Sequence, residues 1–166
     1  MNLTDPSTIY DLPMDLNAER QVLGILIKYP TQVDRVIDRL RPAHFYDLTH
    51  RRIYEIIVSL YHKQGRISYT QIYNRLRADG ISPTPAELLI PLTESFVALS
   101  ELDPSVSILL HREAMRRLVR ASDSIKAMAL DPKNDDLEEV QARAQELIFS
   151  ASQATNADAD DAKNLL

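Results

Sequence analysis

The chain has 166 residues, 45% hydrophobic and 26% charged, with a net charge of −5, enough for one good hydrophobic core plus an extension. It contains no cysteine, which excludes disulfides, zinc–thiolate sites and thiol catalysis. Its three glycines stand apart, so neither of the phosphate-binding patterns GxxxxGK(S/T) and GxGxxG can be written, and the acidic balance lacks the footprint of a dedicated DNA-binding domain.

So few glycines disfavour a hairpin-rich sheet, and the apolar residues recur with helical spacing, so the expected class is all-α. Residues 1–15 contain Pro6 and Pro13 and have no periodicity, and they are read as a flexible arm. They carry neither the basic start nor the apolar stretch of a secretory signal, and no apolar run reaches membrane-spanning length, so a cytoplasmic location is expected. Asn17 is the expected cap of a first helix carrying Val22, Leu23, Leu26 and Ile27, which stops at Pro30. Thr31 opens a second, short helix with Val33, Val36, Ile37 and Leu40, closed by Pro42. The clearest pattern is the third, Ile53, Ile56, Ile57, Leu60 and Tyr61, ended by Gly65.

Ser68 or Tyr69 starts a helix with Ile72, Tyr73 and Leu76 that ends at Asp79-Gly80. Thr84, Pro85 and Glu87 then form a capping box opening one or two short helices with Leu88, Leu89, Leu92, Phe96 and Leu99. Residues 16–103 make a compact helical bundle on this reading. Residues 104–152 differ in kind. Ala114, Leu118, Ala121, Ile125 and Met128 step by four and three without an internal Gly or Pro, the seam of a coiled-coil pair. After the turn Asp131-Pro132-Lys133-Asn134, Leu137, Val140, Ala144, Leu147 and Ala151 repeat the pattern, which predicts an antiparallel helical hairpin. Leu109, Leu110, Val119, Ile148 and Phe149 lie partly off that seam, so docking onto the bundle or another subunit is expected. Residues 153–166 are small, acidic and aperiodic, an acidic linker or tail.

No candidate chemistry survives inspection. His44, His50, His62 and His111 make no metal-ligand pair on one helical face, and no nucleophile has its elbow, so no catalytic, metal or cofactor site is expected. His50 reads as a cap or packing residue at the start of the third helix. Two basic features remain. His50-Arg51-Arg52 opens a helix, where cations need an anionic neighbour. With Arg75 and Arg77, Arg51 and Arg52 are the candidate nucleic-acid contacts, against a bland reading in which Asp47 and Glu55 compensate them. On the hairpin, Arg112, Arg116, Arg117 and Arg120 form a strip that faces the acidic second arm, an acidic partner or, less readily, DNA. Basic residues crowd 35–77 and acidic ones dominate from Asp131 onward, an asymmetry that suits either two partners or head-to-tail contact between copies.

Three stretches together resemble the N-terminal domain of the DnaB-type replicative helicases. They are Pro13 with Asn17-Ala18-Glu19-Arg20-Gln21-Val22-Leu23-Gly24, then Leu40-Arg41-Pro42-Ala43-His44-Phe45-Tyr46 with His50-Arg51-Arg52-Ile53-Tyr54-Glu55-Ile56-Ile57, and Arg116-Arg117-Leu118-Val119-Arg120-Ala121. The resemblance covers about residues 13–152. It implies a non-catalytic domain in which hairpins pair between subunits, three pairs form the collar of a hexamer, and primase docks on that collar during DNA replication. Direct DNA contact would be weak or absent. Carried over by region, the interaction residues would be Leu110, Arg116, Arg117, Leu118, Ile125, Leu137, Val140, Ala144, Leu147 and Ile148. The sequence departs from the family at Gly80-Ile81-Ser82-Pro83-Thr84-Pro85, where a double glycine is usual, and in having no Walker A loop or RecA-like motor. A piece of a longer ATP-dependent helicase and a stand-alone DNA-binding or adaptor protein are the two readings left open.

Overall fold

The computed structural model describes residues 12–65, 67–80, 84–94, 98–131 and 136–163. Among the described residues six α-helices carry the architecture: α1 Leu16–Lys28, α2 Leu48–Gln64, α3 Tyr69–Ala78, α4 Pro85–Glu94, α5 Leu102–Leu130 and α6 Leu137–Lys163. Short 3-10 turns at Pro30–Arg35, Pro42–His44 and Leu99–Glu101 link them, and no strand occurs among the described residues. The all-α expectation is met.

Capping chemistry sets the helix starts. Asp15, not Asn17, caps α1: its carboxylate accepts from the Ala18 N–H at 2.9 Å, which leaves Asn17 exposed inside the first turn. Asp47 caps α2 by accepting from the N–H groups of Thr49 and His50, and Ser68 caps α3. At α4 the capping box closes in both directions: the Thr84 N–H donates to Glu87 Oε2 at 2.7 Å, and the Glu87 N–H donates to Thr84 Oγ1 at 3.4 Å. Gly65, at φ 65°, ends α2 in the left-handed conformation that glycine adopts without a Cβ penalty.

The second short helix read from Thr31 is a 3-10 turn over Pro30–Arg35. Its β-branched residues crowd the helical rotamers, and the chain closes with tight bonds such as Val36 N–H to the Val33 carbonyl at 3.0 Å. Val33, Val36 and Leu40 still reach the core. The long helix α5 begins at Leu102, two residues before Pro104, which is tolerated in the first turn because its missing N–H would be unsatisfied there anyway. The turn Asp131-Pro132-Lys133-Asn134 lies outside the described residues beyond Asp131. Finally, α6 continues as helix to Lys163, through most of the stretch read from its composition as linker or tail.

The core joins α1, the 3-10 turns, α2, α3 and α4 to the first third of α5. Leu102, Val106, Leu109 and Leu110 of α5 belong to the same buried cluster as Leu23, Leu26, Phe45, Ile53, Tyr54, Ile72, Leu76 and Leu89. Phe45 and Tyr54 stack at 4.8 Å between ring centroids. Burial pushes the Tyr54 phenol pKa up, and its hydroxyl is satisfied by donating to the Leu40 carbonyl at 3.1 Å. Around the foot of α5, Asp103 pairs with both Arg35 and Arg39, and the Ser105 hydroxyl donates to Gln21 at 2.7 Å. One helix thus serves two structures: α5 starts as a core helix and leaves the bundle to form, with α6 packed back along it, a projecting hairpin.

Candidate interaction surface

The stripe by which α5 enters the bundle is Leu102, Val106, Leu109, Glu113 and Arg116, at helical spacing and buried throughout. Its last two members are charged. Arg116 is only 3% exposed. Its Nε donates to Glu113 at 2.7 Å, its Nη1 to the Pro13 carbonyl at 2.8 Å, and its Nη2 to the His44 carbonyl at 2.8 Å. The guanidinium also lies 5.8 Å from the centre of the Tyr46 ring. Glu113 accepts a further bond from Arg120 at 3.0 Å.

The hairpin strip is therefore divided. Arg116 is a docking pin within its own chain, where carbonyls of the segment before α1 and of the turn before α2 converge on its fixed fork of donors. Arg120 is compensated by Glu113, on its own helix instead of the acidic second arm. Arg117 stands half-buried at an open groove of about 240 Å³ between the arms, with Ala121, Ser124, Leu147 and Ala151.

The remaining hairpin residues separate by burial. Leu110 belongs to the bundle core, so it is not available on the hairpin surface. Ala114, Ala121 and Ala151 are buried, and Ile125, Val140, Ala144 and Leu147 are half-buried. Leu118, placed in the seam by its spacing, is 42% exposed, while Ile148 is 51% and Phe149 64% exposed. Sequence reasoning passed over Ile108 and Met115, two exposed apolar residues of α5 seven apart. The signal was present: with Leu118 they repeat at helical spacing on a face the bundle stripe does not use. The outcome is an apolar strip on α5 and exposed apolar residues on α6, beside a seam held largely by alanines.

The basic start of α2 has internal partners. Buried Glu19 accepts from the Tyr46 N–H at 2.6 Å, the Asp47 N–H at 3.3 Å, and pairs with His50 Nδ1 at 2.8 Å. Arg51 donates twice to the Phe45 carbonyl. Arg52 bonds Glu55 at 2.8 Å and Asp79 at 2.6 Å, and those two carboxylates, Glu55 first, raise its pKa. Arg75 and Arg77 are exposed on α3, with Arg75 at 3.9 Å from Asp79. The structure does not gather these four arginines into one surface with free guanidiniums, since two of them are engaged in the fold. Among the described residues no group of three His, Asp or Glu side chains could hold a metal ion, and no helix is long and apolar enough to cross a membrane.

Against known proteins, residues 11–111 match the family model described as the DnaB-like helicase N-terminal domain. Similar relatives include the replicative DNA helicase DnaB of Pasteurella multocida, 23% identical over 155 residues, covering 92% of this chain and 33% of that protein. Another is the replicative DNA helicase DnaB of Rhodothermus marinus, 26% identical over 128 residues, covering 76% of this chain and 14% of that protein. The chain thus spans a third or less of the length of these relatives. Among solved structures, the N-terminal domain of DnaB helicase from Mycobacterium tuberculosis superposes with a TM-score of 0.74 at 26% identity, covering 84% of this chain and 99% of that one.

Proposed function

This chain belongs to the DnaB-like helicase N-terminal domain family, and on that premise we propose that it is the non-catalytic assembly domain of a replicative DNA helicase. In this reading its hairpin pairs with the hairpin of a neighbouring subunit, such pairs build the collar of a hexamer, and primase docks on that collar. The ATP-driven motor belongs to the rest of such a protein. One observation carries the reading: Ile108, Met115 and Leu118 on α5, with Ile148 and Phe149 on α6, leave apolar surface on a projecting hairpin that its own bundle does not cover. A large exposed apolar patch rimmed by polar residues is the usual mark of a protein–protein contact.

The inner seam supports the same reading. Alanines at 114, 121, 144 and 151 let the two arms lie close but bury little apolar area, so the large side chains are left for a neighbour. Direct contact with DNA is given no central role, because Arg51 and Arg52 are already satisfied within the fold. The test is association with primase and with self. Leu118→Asp combined with Ile148→Asp should abolish self-association and leave helix content unchanged. Retention of primase by the wild-type chain on a sizing column supports the docking role, and its absence at micromolar concentrations removes that role. Salt-sensitive binding of duplex or single-stranded DNA by the isolated chain would instead favour a DNA-binding regulator.

A further inference from the structure

Among the described residues, the end of the hairpin is the most exposed apolar feature apart from Leu48. Leu130 closes α5 at 71% exposure and Leu137 opens α6 at 68%. Exposed acids surround them: Asp136, whose carboxylate caps α6, then Glu138 and Glu139. The tip cannot be covered by its own bundle. Arg116 is the last α5 residue buried against the bundle, and from there to Leu130 the helix rises about 21 Å at 1.5 Å per residue, with no Gly or Pro to bend it back.

The opposite kind of surface lies on the bundle. Between α2 and α3 is a cleft of about 80 Å³, whose apolar floor is Ile56 and Leu60 and whose rim includes Ser59, Lys63 and Arg75. Arg52 and Glu55 also line it, and they neutralise one another. Asp79 also bonds Arg52 at 2.6 Å and lies 3.9 Å from Arg75, so Arg52, Lys63 and Arg75 face two carboxylates, and the excess positive charge of the rim sits on exposed Lys63 and Arg75. The cleft is small, with room for one aliphatic side chain, so a second apolar residue and any carboxylates would lie along its edge.

We infer that the acidic tip of the hairpin, Leu130 and Leu137 with Glu138 and Glu139, seats in the basic-rimmed α2–α3 cleft of a second copy of this chain. The contact is separate from hairpin-flank pairing and uses different residues on both sides. It joins two unlike patches, so it is made twice within a reciprocal pair or repeats head to tail from copy to copy, closing into a ring where the rotation allows. It also accounts for the charge asymmetry of the sequence, whose basic residues crowd 35–77 and whose acids dominate after Asp131.

The absence of cysteine makes the test clean. A Ser59→Cys chain is mixed with a Glu138→Cys chain and treated with a short bismaleimide. The expected product is a covalent dimer containing one copy of each, in clear excess over the product from either chain alone. Lys63→Glu with Arg75→Glu in the Ser59→Cys partner should lower its yield about tenfold, and Glu139→Lys in the other partner should restore most of the loss. These positions are exposed, and an unchanged thermal midpoint for each variant confirms that folding is intact. The inference is overturned if the yield is indifferent to charge reversal, or if the Glu138→Cys chain links equally well to itself. A mixed product that disappears with Leu118→Asp but survives charge reversal would also overturn it, because hairpin-flank pairing would then be the source of the proximity.

Discussion

Arg116 and Glu19 do comparable work in this fold: each is a buried charge that ties together segments that secondary structure alone would leave loose. Arg116 holds the segment before α1, the turn before α2 and the root of the hairpin. Removing one partner of a buried, hydrogen-bonded pair leaves the other uncompensated, so Arg116→Met should lower stability by about 3–5 kcal/mol. Denaturant unfolding measures this, and Glu113→Gln added to Arg116→Met should recover part of the loss. Glu19→Ala removes the buried acceptor of the part-buried N–H groups of Tyr46 and Asp47 and of His50, and should cost about 1–3 kcal/mol in all. A drop of less than 1 kcal/mol would mean that water replaces the carboxylate. Neither role was legible from local pattern. Arg116 read as one of four cations on a helix, because the sequence alone does not show that it extends the stripe of Leu102, Val106 and Leu109 into the bundle. Glu19 was visible only as part of the family resemblance, and its partners lie 27 to 31 residues away.

At the scale of the element, the capping box of α4 is the feature the sequence displayed most directly, since Thr84, Pro85 and Glu87 are neighbours and their chemistry is local. It also carries a pH signature. Hydrogen bonds from the Thr84 side chain, and then from its backbone, hold the Glu87 carboxyl below its ordinary range. A folded pKa lower than the unfolded one contributes stability that is present above the unfolded value, near 4.5, and is lost as pH falls through the depressed one. Wild type should therefore be more stable than Glu87→Ala at neutral pH, with the gap narrowing under acid; thermal midpoints between pH 6 and 3 check the trend. The second element-scale case is α5–α6. Heptad spacing located both arms correctly but not which seam residues meet inside the chain. Leu118 is outward because the bundle fixes the rotation of α5 through its first fifteen or so residues, a constraint that a local repeat does not contain. The helical continuation of α6 to Lys163 was also hidden, since alanines and aspartates after Ser152 offer no apolar period to read.

For the whole molecule, composition and period were enough for the class, the bundle and the hairpin, because each helix displays its apolar stripe in its own spacing even where the stripe packs against a distant segment, as α1 does against α5. What the chain sets against a neighbour was less legible, since exposure belongs to the assembled fold. The resulting surface is polarised: apolar strips along a projecting hairpin, an acidic leucine tip at its end, and a basic cleft on the bundle. Rigid connection matters here, because α5 runs unbroken from core to tip and carries the orientation of the bundle to the hairpin. Arg116→Met should therefore weaken self-association as well as stability, even though Arg116 is buried and away from the exposed strip.

On the proposed function, the exposed flanks of the hairpin meet another subunit. Sedimentation velocity over a hundredfold range of concentration tests it most directly, comparing wild type with the Leu118→Asp, Ile148→Asp double variant. Wild type should shift from monomer to dimer or larger species across that range, while the double variant keeps its helix content and stays monomeric. A wild-type chain that remains a monomer at the highest concentration, or an association that the double variant leaves unchanged, would contradict it.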